Sequence, residues 1–281
     1  MMTPVDASTQ PDPETPADPA PQQAYADSGH VEVIDRRTLR AELLLVLWLS
    51  IAAAALRSLL SLIEQLTRGV KLSEQTQALV GNYVPDRPWL DVLFQISRIG
   101  LALVPVFLVL HFLRRSGEGR FGIGFDLRDW KRDILRGMVL AAVIGGVGLV
   151  FYLAAYNLGM SVKIAAVTAD QTWWTWILLL ASAAWNSVLE EVIVLAYMIH
   201  RLDQLGWKPW QTVASSALLR GAYHLYQGFG GFLGNIAMGA VFGVLFRRWG
   251  RVMPFVVAHF LIDAVAFIGY AALAGKVSWL P

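Results

Sequence analysis

The segment Trp185-Asn-Ser-Val-Leu-Glu-Glu-Val-Ile-Val-Leu195 sets two adjacent glutamates, Glu190 and Glu191, in the middle of an apolar run. The run extends from Trp173 to Ile199, and about 20 apolar residues in helix are enough to cross a bilayer core. Six further runs read the same way: Leu43–Ile63, Val92–Leu113, Ile134–Leu158, Trp210–Tyr226, Phe229–Phe246 and Val252–Leu273. Only the stretch Gly228–Gly231 separates the fifth span from the sixth, and it reads as a turn. None of the seven shows strand-like alternation, and helices are the only non-barrel structure that satisfies its backbone in lipid. The expected fold is therefore all-α, a polytopic membrane bundle of about seven transmembrane helices whose last four form a core.

Composition agrees with that reading. The 281 residues are 56% hydrophobic and 16% charged, against roughly 25% charged in soluble domains. A net charge of +2 gives no footprint for nucleic acid. There is no cysteine, so disulfides, thiolate metal sites and cysteine nucleophiles are excluded. Residues 1–28 hold six prolines and five acidic residues but no Lys or Arg, the composition of a disordered tail. The chain thus divides into a tail with a basic flank over 1–40, spans over 41–172, a core over 173–273 and a C-terminal tail over 274–281.

Basic residues set the expected orientation. Arg36, Arg37 and Arg40 precede the first span, and Arg114, Arg115, Arg120, Arg128, Lys131 and Arg132 follow the second. Arg201 and Lys208 follow the fourth, and Arg247, Arg248 and Arg251 follow the sixth. All fall on one side if the N-terminus is cytoplasmic, which predicts a multi-pass plasma-membrane protein with an outward C-terminus. Trp89, Trp173, Trp174, Trp207 and Trp210 lie near span ends, as interfacial tryptophans do.

An ionisable side chain in mid-membrane costs at least roughly 2.5–3.5 kcal/mol and needs an explanation. Arg57, Arg98 and Arg136 are read as snorkelling from early spans. His30 falls in the tail, and His111 and His200 at span ends. Three clusters resist that reading: Glu190-Glu191, Arg220-Gly-Ala-Tyr-His224 and His259-Phe-Leu-Ile-Asp263. In the last two the ends are four apart, on one helix face. Adjacent helical residues diverge by about 100°, so one glutamate lines a cavity while the other pairs with a neighbouring helix. Together these groups can position a water and take its proton. A proton path through a transporter is the rival reading, but there is no repeat symmetry and no Pro-broken helix pair.

These three segments resemble the signature of the CPBP (CAAX protease and bacteriocin-processing, or Abi) intramembrane proteases: Glu-Glu-x-x-x-Arg, Phe-x-x-x-His and His-x-x-x-Asn/Asp on successive core helices. The segment Leu219–Gly228 is most similar to actinobacterial members. The resemblance covers about Trp173 to Tyr270 and implies endopeptidase cleavage within the membrane; eukaryotic members remove the last three residues of prenylated CaaX proteins. It implies Glu190 as general base, His224 holding the water or a metal, His259 binding the metal or donating to the oxyanion, and Glu191 as the second carboxylate. Asp263 is implied as metal ligand or as the group fixing the His259 tautomer. The metal version places Zn²⁺ on Glu190, His224, His259 and Asp263; a metal-free glutamate version stands beside it. Leu195 replaces the signature arginine and Arg220 the signature aromatic, so Arg220 is expected to supply Glu191 with its missing positive partner. The expected partners are the bilayer and a membrane-associated peptide substrate, the alternative being an inactive relative that serves as a scaffold or immunity-type protein.

Overall fold

The computed structural model describes residues 35–80, 83, 84, 86–167, 173–273 and 276. The expected tail, with His30, and the C-terminal tail apart from Lys276 lie outside the described residues. Helix α1 (Arg36–Leu47) starts where the Asp35 carboxylate accepts from the Arg37 and Thr38 amides. It runs through a π-helical turn, Trp48–Ala52, into α2 (Ala53–Thr67). Then come α3 (Pro88–Arg115), α4 (Trp130–Asn157) and α5 (Trp173–Glu190). The last continues through a π-helical segment, Glu191–Tyr197, into α6 (Met198–Gln204). Helices α7 (Pro209–Tyr223), α8 (Gly228–Trp249) and α9 (Met253–Leu273) complete the bundle. Pro at N1 of α3 and α7 suits a position whose N–H is unpaired anyway.

Among the described residues, six helical stretches are long and apolar enough to cross a membrane. The fifth expected span, Trp210–Tyr226, falls on α7, which has 15 residues; at about 1.5 Å per residue it falls short of the roughly 30 Å core. The chain is an all-α, multi-pass membrane protein. Of the six membrane-length stretches α5–α6 is the most buried and α4 the least, so α5–α6 is the central helix. All seven residues of its π segment are buried. Outward residues such as Phe107 and Val147 are exposed, as a lipid-facing surface requires.

The turn expected at Gly228–Gly231 is instead the first turn of α8. Gly228 makes the break, with φ +87, and a Cβ on Gly230 would lie 2.1 Å from Ser161 Oγ. The glycines are there for close packing on Met160–Ser161, which a one-dimensional reading cannot separate from turn chemistry. Two short strands, β1 (Thr76–Val80) and β2 (Lys163–Val167), were not expected. They pair in parallel, Thr76 opposite Lys163, outside the long helices.

Ionic ties join the helix ends at the basic end of the bundle. Arg115 pairs with Glu42, Arg247 with Asp203 at 2.5 Å, and Arg251 with Asp133 at 2.7 Å. Arg201, wholly buried, donates to Glu118 at 2.9 Å, and His200 pairs with the other oxygen of that carboxylate. Burial pushes the Glu118 carboxyl up, but the His200 contact and hydrogen bonds from Gln204 and Ser116 outweigh it and hold it down to about 2.

Helix α7 lies close against α8 because Gly239 and Gly243, four apart, present no side chain to it. A Cβ on Gly239 would stand 2.9 Å from the Ala217 Cα, and one on Gly243 2.9 Å from Val213. Gly239→Ala is therefore expected to lose about 1–3 kcal/mol by overpacking, read as a lower melting temperature in detergent. A depressed carboxyl adds stability above its unfolded pKa, which is lost as pH falls through the folded one. The parent should thus lose stability between about pH 4.5 and 2, and acid melts of Glu118→Gln should lack that part of the slope.

Candidate active site

The two glutamates mark the junction where α5 passes from α- to π-helical hydrogen bonding. Such π segments occur often at functional sites, and here Ser216 Oγ on α7 donates to the Val194 carbonyl at 2.7 Å. Glu190 and Glu191 are both buried, yet their surroundings differ. Glu190 lines a cavity of about 410 Å³, and its Oε2 accepts from the Tyr223 hydroxyl at 2.6 Å. Glu191 points instead at α7 and α9. Its Oε1 accepts from Arg220 at 2.7 Å and from His259 Nδ1 at 2.6 Å.

Arg220 is 1% exposed and its second terminal nitrogen lies 3.5 Å from Glu190 Oε2, so one guanidinium serves both carboxylates. Leu195, also 1% exposed, sits in the apolar core. His224, at the end of α7, donates from Nδ1 to the Arg220 carbonyl at 2.9 Å. That leaves Nε2 as the free ring nitrogen, and His224 lines the cavity with Glu190. His259 Nε2 lies 3.5 Å from Asp263 Oδ2. Asp263 in turn accepts from the Asn186 amide at 3.2 Å.

The sequence-derived residues thus fall into two groups. Glu190 and His224 face the cavity, while Glu191, His259, Asp263 and Arg220 form a charged layer that is not part of its wall. Among the described residues, the set whose ligand atoms all lie within 4.8 Å of one another is Glu190, Glu191 and His259. This group shares Glu190 and His259 with the expected metal set and includes Glu191, but not His224 or Asp263. Two carboxylates and an imidazole are a donor set that fits a divalent ion such as Zn²⁺, and Glu191 Oε2 is buried without a hydrogen-bond partner.

Other residues of the site were missed. Tyr223 and Asn186 carry no charge, although Asn186 stands four residues before Glu190, one turn away. Arg57 and Arg98 were dismissed as snorkelling; both line the cavity. Arg136 lies over the Trp249 ring at 4.5 Å, away from the site. His200 belongs to the Glu118 cluster.

The bundle gathers Glu, His and Arg at mid-helix, and its last helices are similar to the core of the CPBP intramembrane proteases. Residues 172–265, about a third of the chain, match the family model described as type II CAAX prenyl endopeptidase Rce1-like. No curated protein and no solved structure matches the chain.

Arg220→Phe leaves Glu191 buried without its charge partner, and breaking such a pair costs about 3–5 kcal/mol. The variant should melt well below the parent, and Leu195→Arg/Arg220→Phe should recover much of the loss. Equal stability of Arg220→Phe and the parent would sink the assignment.

Proposed function

We propose that the chain is an intramembrane endopeptidase that hydrolyses a peptide bond of a membrane-associated peptide or protein, with residues 173–273 as its catalytic core. The observation that carries this is that Glu190 and His224, from two helices, line one cavity. A water between Glu190 and the free Nε2 of His224 gives a proton to Glu190 as it attacks the scissile carbonyl. Glu190 then passes that proton to the leaving amine as the C–N bond breaks.

The oxyanion needs a donor. His259, the expected one, faces carboxylates through both ring nitrogens. Asn186 lines the cavity and spends one amide hydrogen on Asp263, so its second hydrogen is free to donate. The paired layer behind the cavity keeps Glu190 in place: Tyr223 and Arg220 hold its Oε2, and Glu191 holds both Arg220 and His259.

In a metal-assisted form, Glu190, Glu191 and His259 would hold the ion, whose chemistry is to acidify a water and polarise a carbonyl. Orientation with the N-terminus in the cytoplasm of a plasma-membrane protein is supported by the basic residues gathered at the end where α1 begins.

Purified protein should cleave membrane-derived peptides, and Glu190→Gln and His224→Ala should each lower kcat by roughly 10²–10⁴-fold. Full activity in Glu190→Gln would rule the mechanism out. Loss of activity in chelator, restored by added Zn²⁺, with one ion per chain by metal analysis, would select the metal-assisted form.

A further inference from the structure

The reaction above gathers negative charge on the scissile oxygen, and preorganised donors aimed at that oxygen lower such a barrier most. Asn186 supplies one hydrogen. His259 faces carboxylates through both ring nitrogens, and Asp263, which accepts from Asn186, has no hydrogen to give when ionised. A second donor has to come from elsewhere on the cavity wall. Two tyrosines lie against the His224 ring: Tyr223, with centroids 4.7 Å apart, and Tyr226, stacked at 6.1 Å with its plane 24° off. Tyr223 spends its hydroxyl on Glu190. Tyr226 lines the cavity together with Glu190, His224 and Asn186. Its phenol oxygen accepts from Gln227 Nε2 at 2.9 Å, and among the described residues nothing accepts its hydrogen.

The turn that carries Tyr226 is held by α2. The Tyr226 N–H donates to Ser58 Oγ at 2.7 Å, and the Tyr226 carbonyl accepts from Gln65 Nε2 at 2.9 Å. Ser58 and Gln65 are both buried, seven residues apart on one face of that helix. The phenol is therefore in place before a substrate arrives, as an effective donor must be. We propose that Tyr226 is a catalytic residue, a second oxyanion donor beside Asn186, an inference that rests on the peptidase reading. As the water adds to the carbonyl carbon, the π electron pair moves onto oxygen. The Tyr226 hydroxyl and the Asn186 amide donate hydrogen bonds to that oxygen and keep their protons. The pair returns to re-form the carbonyl as the C–N bond breaks and the amine takes its proton from Glu190.

Tyr226→Phe keeps the ring against His224 and removes only the hydroxyl. In phosphatidylcholine nanodiscs, with a membrane-derived peptide that the parent cleaves, the variant should lose roughly 10²–10³-fold in kcat. KM should stay within about two-fold, because the lost bond is made only in the transition state. Binding gives the second readout. A phosphinic analogue of the same peptide carries a tetrahedral, anionic centre in place of the scissile amide. The parent should bind it more tightly than the peptide, and Tyr226→Phe should weaken the analogue by a factor close to its loss in kcat/KM while leaving peptide binding alone. A kcat within about three-fold of the parent, or a loss confined to KM, overturns the proposal. So does a fall in kcat, or in melting temperature, with no loss of phosphinate affinity, since the hydroxyl would then serve packing or another step. Equal cleavage by parent and variant removes Tyr226 and leaves the peptidase reading standing, whereas a parent that cleaves nothing refutes the reading itself.

Discussion

Two carboxylates side by side in the middle of a membrane bundle cannot both stay ionised without help, and that help comes from one guanidinium. Arg220 reaches Glu191 at 2.7 Å and Glu190 at 3.5 Å from a neighbouring helix. Its burial is tolerable only because it is paired, and theirs only because of it. The placement of α7 follows from this need. The helix is short, it presses into the glycine face of α8, and Ser216 ties it to the Val194 carbonyl of the central span. A shift of α7 by one turn, about 5.4 Å, would strip both glutamates of their cation and carry His224 out of the cavity.

The π-helical passage explains how adjacent residues come to different environments. Glu190 closes the α-helical part and faces the cavity; Glu191 opens the π segment and faces α7 and α9. On the proposed mechanism, Glu190 is the group that meets water and substrate and Glu191 the one that holds charge, with His259 and Asp263 on the side of Glu191. With Glu191 on one ring nitrogen and Asp263 near the other, the imidazole is fixed in orientation.

Six spans were legible because lipid demands long apolar runs, while α7 stops at Tyr223, before its run ends, and is too short to cross. The Arg220–His224 and His259–Asp263 pairs were legible because four-residue spacing fixes a common face. Arg57 and Arg98 were misjudged for a reason rooted in the same logic. Distance along a span measures depth but says nothing about which way a side chain faces, and only packing reveals that both face a cavity. Tyr223 and Asn186 were missed because neutral side chains cost little in lipid and raise no alarm, though each completes a hydrogen bond to a charged partner. Gly228 and Gly230 failed differently, since close approach and turn formation call for the same residue.

The substitution at position 195 bears on whether the signature is a set of positions or a set of charges. An arginine at 195 and an arginine at 220 start from different helices, yet Arg220 reaches the second glutamate, and Leu195 fills apolar core instead. What is retained is one positive charge beside Glu191. Moving its origin to α7 couples it to His224, because the Arg220 carbonyl accepts the His224 Nδ1 hydrogen at 2.9 Å. The same residue therefore balances the carboxylates through its side chain and orients the imidazole through its backbone. One residue thereby joins the carboxylates of the central span to the imidazole at the end of α7.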